Sequence, residues 1–124
     1  MYELSVRTHF SAAHHLQGYK GKCAEQHGHN WQVEVFVAGE KLNSTGILID
    51  FRLLKDMVRE LLGRLDHSDL NRMKAFKNMN PTSENIARFL YDEISAKIKS
   101  TGCSVSRVLV RETDETSASY SSSR

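Results

Sequence analysis

The sequence predicts an α+β domain with the element order ββααββ, an antiparallel sheet carrying two helices on one face. Three observations predict it. Two early segments alternate apolar and polar residues, two later ones repeat apolar residues at three- and four-residue steps, and β-branched residues return after Gly102.

Across residues 2–10, Leu4, Val6, Thr8 and Phe10 alternate with Glu3, Ser5, Arg7 and His9, the pattern of a half-buried strand. A loop with Gly18 and Gly21 follows. The run from Trp31 then places Val33, Val35 and Val37 on one strand face, and Gly39 to Gly46 reads as a turn. A helix is expected after Asp50, a good N-cap, because Phe51, Leu54, Val58, Leu61, Leu62 and Leu65 form one stripe. Residues 66–81 are polar and irregular and end in Asn80-Pro81. The second helix is expected to start at Thr82 or Ser83, with Glu84 near its positive end and a stripe of Ile86, Phe89, Leu90, Ile94 and Ile98. Gly102 ends it. Cys103 to Glu112 reads as a strand with Val108, Val110 and Glu112 on one face. The final Ser-Ala-Ser-Tyr-Ser-Ser-Ser-Arg reads as a short strand fraying into a tail. The domain is therefore drawn as 1–118 and the tail as 119–124.

A chain of 124 residues, 40% hydrophobic and 26% charged, fits one soluble domain. A net charge of +2 gives no electrostatic case for nucleic acid or a membrane surface as the main partner. No apolar stretch approaches the roughly 20 residues of a membrane span, and the start lacks a signal-peptide pattern. Two cysteines make no disulfide framework, so the expected compartment is the cytoplasm. Two helices cover only one face of such a sheet. Its other face and its edges leave surface for further copies of the chain, so a homo-oligomer is expected.

The chemistry gathers around Cys23-Ala-Glu-Gln-His27-Gly-His29-Asn. Two side chains two residues apart point the same way only on an extended backbone. Gly28 is read as leaving the space between the two imidazoles open. His27 and His29 are thus a candidate chelating pair for zinc. A third imidazole would complete the ligand count of a catalytic zinc site with an open fourth position. His14 is the candidate, with His9 and His15 as competitors. Cys23 reads as a fourth ligand, a thiol base or a small buried residue, and Cys103 as structural. Asp66-His67 is either a histidine at a helix end or a carboxylate orienting an imidazole for proton transfer. Glu112 ends an apolar strand face, where a carboxylate needs a partner: either a lysine or arginine in an ordinary salt bridge or, better motivated, a guanidine-like edge offering two donors.

Together these segments resemble the family of 6-pyruvoyl-tetrahydropterin and 6-carboxy-5,6,7,8-tetrahydropterin synthases. Six motifs carry the resemblance in family order: Phe10-Ser-Ala-Ala-His14-His-Leu, Cys23-x3-His27-Gly-His29-Asn, Leu48-Ile-Asp50-Phe, Leu65-Asp66-His67-x2-Leu70-Asn71, Pro81-Thr-Ser-Glu84-Asn and Val110-Arg-Glu112-Thr. The resemblance implies the tunnelling fold, with trimers stacked into hexamers and active sites between subunits. It implies His14 as third zinc ligand with His27 and His29, and Cys23 as general base. Asp66 and His67 become the second proton-transfer group, and Glu112 the pterin anchor, helped by Thr82, Ser83 and Glu84. The implied substrate is 7,8-dihydroneopterin triphosphate. One branch eliminates triphosphate to give 6-pyruvoyl-tetrahydropterin. The other also loses acetaldehyde to give 6-carboxytetrahydropterin, on the route to queuosine. The short Cys-x3-His spacing resembles the bacterial carboxy branch. Glu25 occupies the loop where a folate-type variant carries its glutamate, Lys20 and Lys22 are candidates for steering the triphosphate, and His15 stands where relatives often have arginine. The alternatives are a zinc- or pterin-binding module without catalysis and a zinc hydrolase, which would have no use for Glu112.

Overall fold

The computed structural model describes residues 1–21 and 24–122. Its strands are β1 (Tyr2–His14), β2 (His27–Gly39), β3 (Ser68–Asp69), β4 (Ser104–Thr113) and β5 (Thr116–Tyr120); its helices are α1 (Phe51–Gly63) and α2 (Ser83–Ile98). The sheet order is β3-β1-β2-β4-β5. All pairs are antiparallel except the two-residue β3, which runs parallel to β1 at Ala12 and Ala13.

β1 continues four residues beyond the alternating stretch. It pairs with β2 without a break from Tyr2↔Gly39 to His14↔His27. Because side chains alternate, Val6, Phe10 and Ala12 share a face with Trp31, Val33, Val35 and Val37, and with Val108 and Val110 of β4; all are buried. Phe10 stacks on its cross-strand partner Trp31, centroids 5.9 Å apart and rings 7° from parallel. The sheet's other face is polar: Ser5 and Arg7 meet Glu34, Ser106 meets Glu3, and Arg107 lies over Phe36.

Asp50 caps α1 by accepting the Arg52 N–H, and Thr82 caps α2 by accepting the Asn85 N–H. α1 packs on β1, and α2 on β4 and β5. Leu54, Val58, Leu61 and Leu62 of the first helix meet Ile86, Leu90, Ile94 and Ile98 of the second in one core. Two residues of the expected stripes behave differently. Phe51, in the first turn, is 54% exposed and lines a surface concavity with Tyr2 and Leu42, while Leu65 is buried past the helix end. β5 runs to Tyr120, whose ring meets Tyr91 edge-on, and Ser122 bonds the Tyr91 hydroxyl. Ordered structure therefore continues past residue 118. No helix among the described residues is long and apolar enough to cross a membrane.

The helix stripe separates two substitutions. Leu54→Ala should cost about 2–5 kcal/mol of unfolding free energy, whereas Phe51→Ala should stay within about 0.5 kcal/mol. Urea denaturation of both variants checks this, and equal losses would contradict the packing of α1.

Candidate active site

The apolar row on the helix-facing side of the sheet ends in histidines. On β2 the odd positions run Val37, Val35, Val33, Trp31, His29, His27, and on β1 the even positions run Phe10, Ala12, His14. His14 lies opposite His27, and the small Ala12 lies opposite His29, leaving room for the imidazole. Trp31 floors the cluster, edge-on to His14 at 4.8 Å and to His29 at 5.3 Å; its indole N–H donates to the Ala12 carbonyl. Glu112 reaches the same place from β4, at a register irregularity between Val110 and Thr113 that frees this stretch from regular pairing with β5.

The donor atoms of His14, His27, His29 and Glu112 lie within 4.8 Å of one another. The three imidazoles stand at steep angles, from 62° to 87°, so their edges converge instead of stacking. His14 Nδ1–H donates to the Pro81 carbonyl at 2.8 Å and His27 Nδ1–H to the Glu25 carbonyl at 2.7 Å. A carbonyl only accepts, so each Nδ1 carries the proton and each Nε2 is left to face the cluster. Glu112 Oε1 sits 3.1 Å from His14 Nε2 and 2.9 Å from His29 Nε2. The second contact is close but not aligned as a hydrogen bond, and His29 Nε2 is a buried nitrogen without a hydrogen-bond partner. Burial first, then the neighbouring His27 and His14, lower the His29 pKa against the opposing pull of Glu112. A neutral imidazole with an unsatisfied, inward-facing nitrogen is what a metal ion completes. The donor set fits a divalent cation.

His9 and His15 lie elsewhere. His9 is exposed and borders a concavity on the polar sheet face, while His15 Nδ1 meets Gln26 Oε1 at 2.9 Å. Gly28 does not separate the imidazoles. It alternates with them, so its α-carbon faces the opposite side of the sheet, where a Cβ would meet only the Ala12 carbonyl at 3.9 Å. The space between the rings is therefore not opened by the missing side chain of Gly28, contrary to what the spacing suggests.

A cavity of about 440 Å³ opens beside His14 and Glu112, with Thr82, Ser83, Glu84 and Tyr19 on its walls. The Thr82 oxygen is already engaged in capping α2. Cys23 and Lys22 lie outside the described residues; Lys20 is exposed. Asp66 and His67 form the expected pair, His67 Nδ1 to Asp66 Oδ2 at 3.0 Å. Asp66 Oδ1 also accepts the Ser11 N–H at 2.8 Å, and His67 takes a left-handed backbone, φ 56°, that turns its N–H to the Ser11 carbonyl. His67 borders a second concavity, walled by Ser11, Gly28, His29 and Asn30. Within one chain, then, the structure unites the three histidines and Glu112 with the start of α2, and places His67 on a second concavity that His29 also lines. Sequence reasoning missed the Pro81 carbonyl, because a main-chain acceptor carries no residue-type signature, and it paired Glu112 with a lysine, an arginine or a ligand's donors, not with the imidazoles beside which it lies.

The profile of the family described as 6-pyruvoyl tetrahydropterin synthase matches residues 3–123. The chain belongs to that family. A protein of Archaeoglobus fulgidus carrying the 6-carboxy-5,6,7,8-tetrahydropterin synthase name is 39% identical over 112 residues, covering 90% of this chain and 89% of its own. The 6-carboxy-5,6,7,8-tetrahydropterin synthase of Synechocystis is 36% identical, covering 93% and 89%. The 6-pyruvoyl tetrahydrobiopterin synthase of Dictyostelium discoideum is 31% identical, covering 77% and 80%. The solved structure of Caenorhabditis elegans 6-pyruvoyl tetrahydropterin synthase superposes with a TM-score of 0.88 at 27% identity, covering 98% of this chain and 96% of that one. The fold is that of the pterin synthases, the tunnelling fold.

The Ser11 N–H above all, and the His67 imidazole beside it, hold the Asp66 carboxyl below the ordinary carboxylate value. A pKa depressed by folding adds stability above the unfolded-state value, near 3.9, and that contribution is lost as pH falls through the folded value. Asp66→Asn should therefore be less stable than the parent at about pH 7, with the gap closing at about pH 3. Denaturation at both pH values checks this, and a gap of constant size would contradict it.

Proposed function

We propose that this protein is a zinc-dependent 6-carboxy-5,6,7,8-tetrahydropterin synthase, a carbon–carbon lyase. It would convert 7,8-dihydroneopterin triphosphate and water to 6-carboxytetrahydropterin, acetaldehyde and triphosphate. The observation that carries this reading is the convergence of three inward-facing imidazoles and a carboxylate beside a cavity at the start of α2. Family membership and the names of the relatives at 39% and 36% identity support the branch.

In this reading His14, His27 and His29 hold zinc, which supplies Lewis acidity toward the hydroxyls of the substrate's side chain. Glu112 accepts the 2-amino and ring N–H donors of the pterin, two parallel bonds to one carboxylate, and Ser83 and Glu84 border the same cavity. Cys23 removes a proton from the side chain as a thiolate. His67, oriented by Asp66, handles the second proton. Active sites between subunits, which the family resemblance implies, would let the dyad of one subunit serve the cavity of another. That arrangement calls for a homo-oligomer, and the hexamer of stacked trimers is the assembly proposed. A cytoplasmic place on the route to queuosine completes the reading.

Product analysis tests the activity. Purified protein incubated with 7,8-dihydroneopterin triphosphate should release acetaldehyde and 6-carboxytetrahydropterin. Formation of 6-pyruvoyl-tetrahydropterin without acetaldehyde would move the protein to the other branch. No turnover with zinc bound would reduce it to a binding module.

Two variants test the division of labour. His27→Ala should lose zinc in metal analysis while its circular dichroism persists. Cys23→Ala should keep zinc and lose turnover by about 10²–10⁴-fold, the usual share of a general acid–base group. Zinc loss in Cys23→Ala would make the cysteine a ligand and overturn its role as base.

A further inference from the structure

β1 and β2 stop pairing at His14 and His27, so the chain from His15 onward leaves the ladder with its backbone polar groups needing partners. Two asparagine side chains supply them. Asn71 Oδ1 accepts the His15 N–H at 2.8 Å, and its Nδ2 donates to the His15 carbonyl at 3.0 Å. Asn80 repeats the clamp two residues on: Oδ1 accepts the Gln17 N–H at 2.8 Å and Nδ2 donates to the Gln17 carbonyl at 2.9 Å. A side-chain amide presents an N–H donor and a carbonyl acceptor side by side, and so stands in for one residue of a neighbouring strand.

Asn80 is tied on its other side as well. Its carbonyl accepts Asn85 Nδ2 at 2.8 Å, and Asn85 belongs to the capped first turn of α2. Between Asn80 and the Thr82 cap lies the buried Pro81, with a fixed φ and no N–H of its own to satisfy. The Pro81 carbonyl is therefore held by α2 through Asn85 and by the extension of β1 through the Gln17 clamp. That carbonyl is the acceptor that fixes the proton of His14 on Nδ1.

We infer that Asn80 is a positioning residue for the metal centre: by clamping Gln17 and holding the Pro81 carbonyl, it keeps His14 in the tautomer and orientation that present Nε2 to a divalent cation. The inference rests on the metal site proposed above. Partners that orient ligand histidines are worth about 10–100-fold in metal affinity. Asn80→Ala removes the clamp. Asn80→Asp keeps the acceptor for the Gln17 N–H but loses the donor to its carbonyl. Asn85→Ala leaves the clamp and releases the Asn80 carbonyl.

The test uses the whole chain and cobalt(II) as probe, in competition with a chelator, with absorption reporting the coordination. Nitrogen NMR of the metal-free protein reads the His14 tautomer independently of any metal. Asn80→Ala should bind cobalt about 10–100-fold more weakly than the parent and lose the Nδ1–H preference of His14, with Asn80→Asp and Asn85→Ala shifted the same way by less. The control is Asn43→Ala. It removes a side chain that accepts the Thr45 N–H, the Thr45 hydroxyl and the Ile47 N–H in a loop outside the cluster, and should leave cobalt affinity unchanged. Should Asn80→Ala not fold, the other two variants carry the test. Wild-type cobalt affinity and an unchanged His14 tautomer in the folded variants would overturn this inference alone. A parent protein that takes up no cobalt would overturn the metal site and the inference with it.

Discussion

The unbroken pairing of β1 with β2 is the constraint on which the site depends. Thirteen consecutive residue pairs fix which positions face the helices, and a one-residue slip would turn every side chain to the other face. The stacked Phe10–Trp31 pair pins this register two steps before the first histidine. The same alternation that buries Val33 and Val35 delivers His29 and His27, and the same row on β1 delivers His14. The candidate metal donors are therefore a continuation of the core in which imidazole replaces aliphatic side chains. Trp31 is the hinge between the two, buried like a core residue and edge-on to two of the imidazoles.

The helices complete what the hairpin begins. α2 is placed by its apolar stripe against β4 and β5, and its capped start brings Pro81 to His14 and the Thr82–Glu84 turn to the cavity. β4 brings Glu112. The site is thus assembled from three strands and one helix start, and each contributor is held by burial elsewhere along its own length. Such a site keeps its donors close together even though His29 Nε2 has no aligned partner among them. The buried core holds it in place.

How much of this was legible follows from periodicity. His27 and His29 could be read as a pair because a spacing of two has one meaning on a strand, and Asp50 could be read as a cap because its side chain suits that place; the start of α2 was legible only to within Thr82 or Ser83, and the structure makes Thr82 the cap. The third histidine was not legible from pattern alone. Ala12 and Ala13 interrupt the alternation, so β1 was drawn only to residue 10, and His14 became distinguishable from His9 and His15 through the family motif. β3 was invisible because two residues carry no period. Phe51 fitted the stripe of α1 yet lies in its first turn, which ends against a surface concavity. Gly28 has a related explanation: it alternates with the histidines, so it belongs to the opposite face and its lack of a Cβ opens no space between the rings.

That last residue sits between two members of the cluster along a single strand. Odd positions of β2 near its start belong to the imidazole cluster, and Gly28, His29 and Asn30 together wall the concavity that contains His67. His29 thus belongs to both, with one edge among the donors and another on the surface that His67 shares. A substitution at position 28 alters the contour presented to whatever approaches from that side, directly beside this histidine. A change made to reshape the outer surface is therefore also felt at one donor of the cluster.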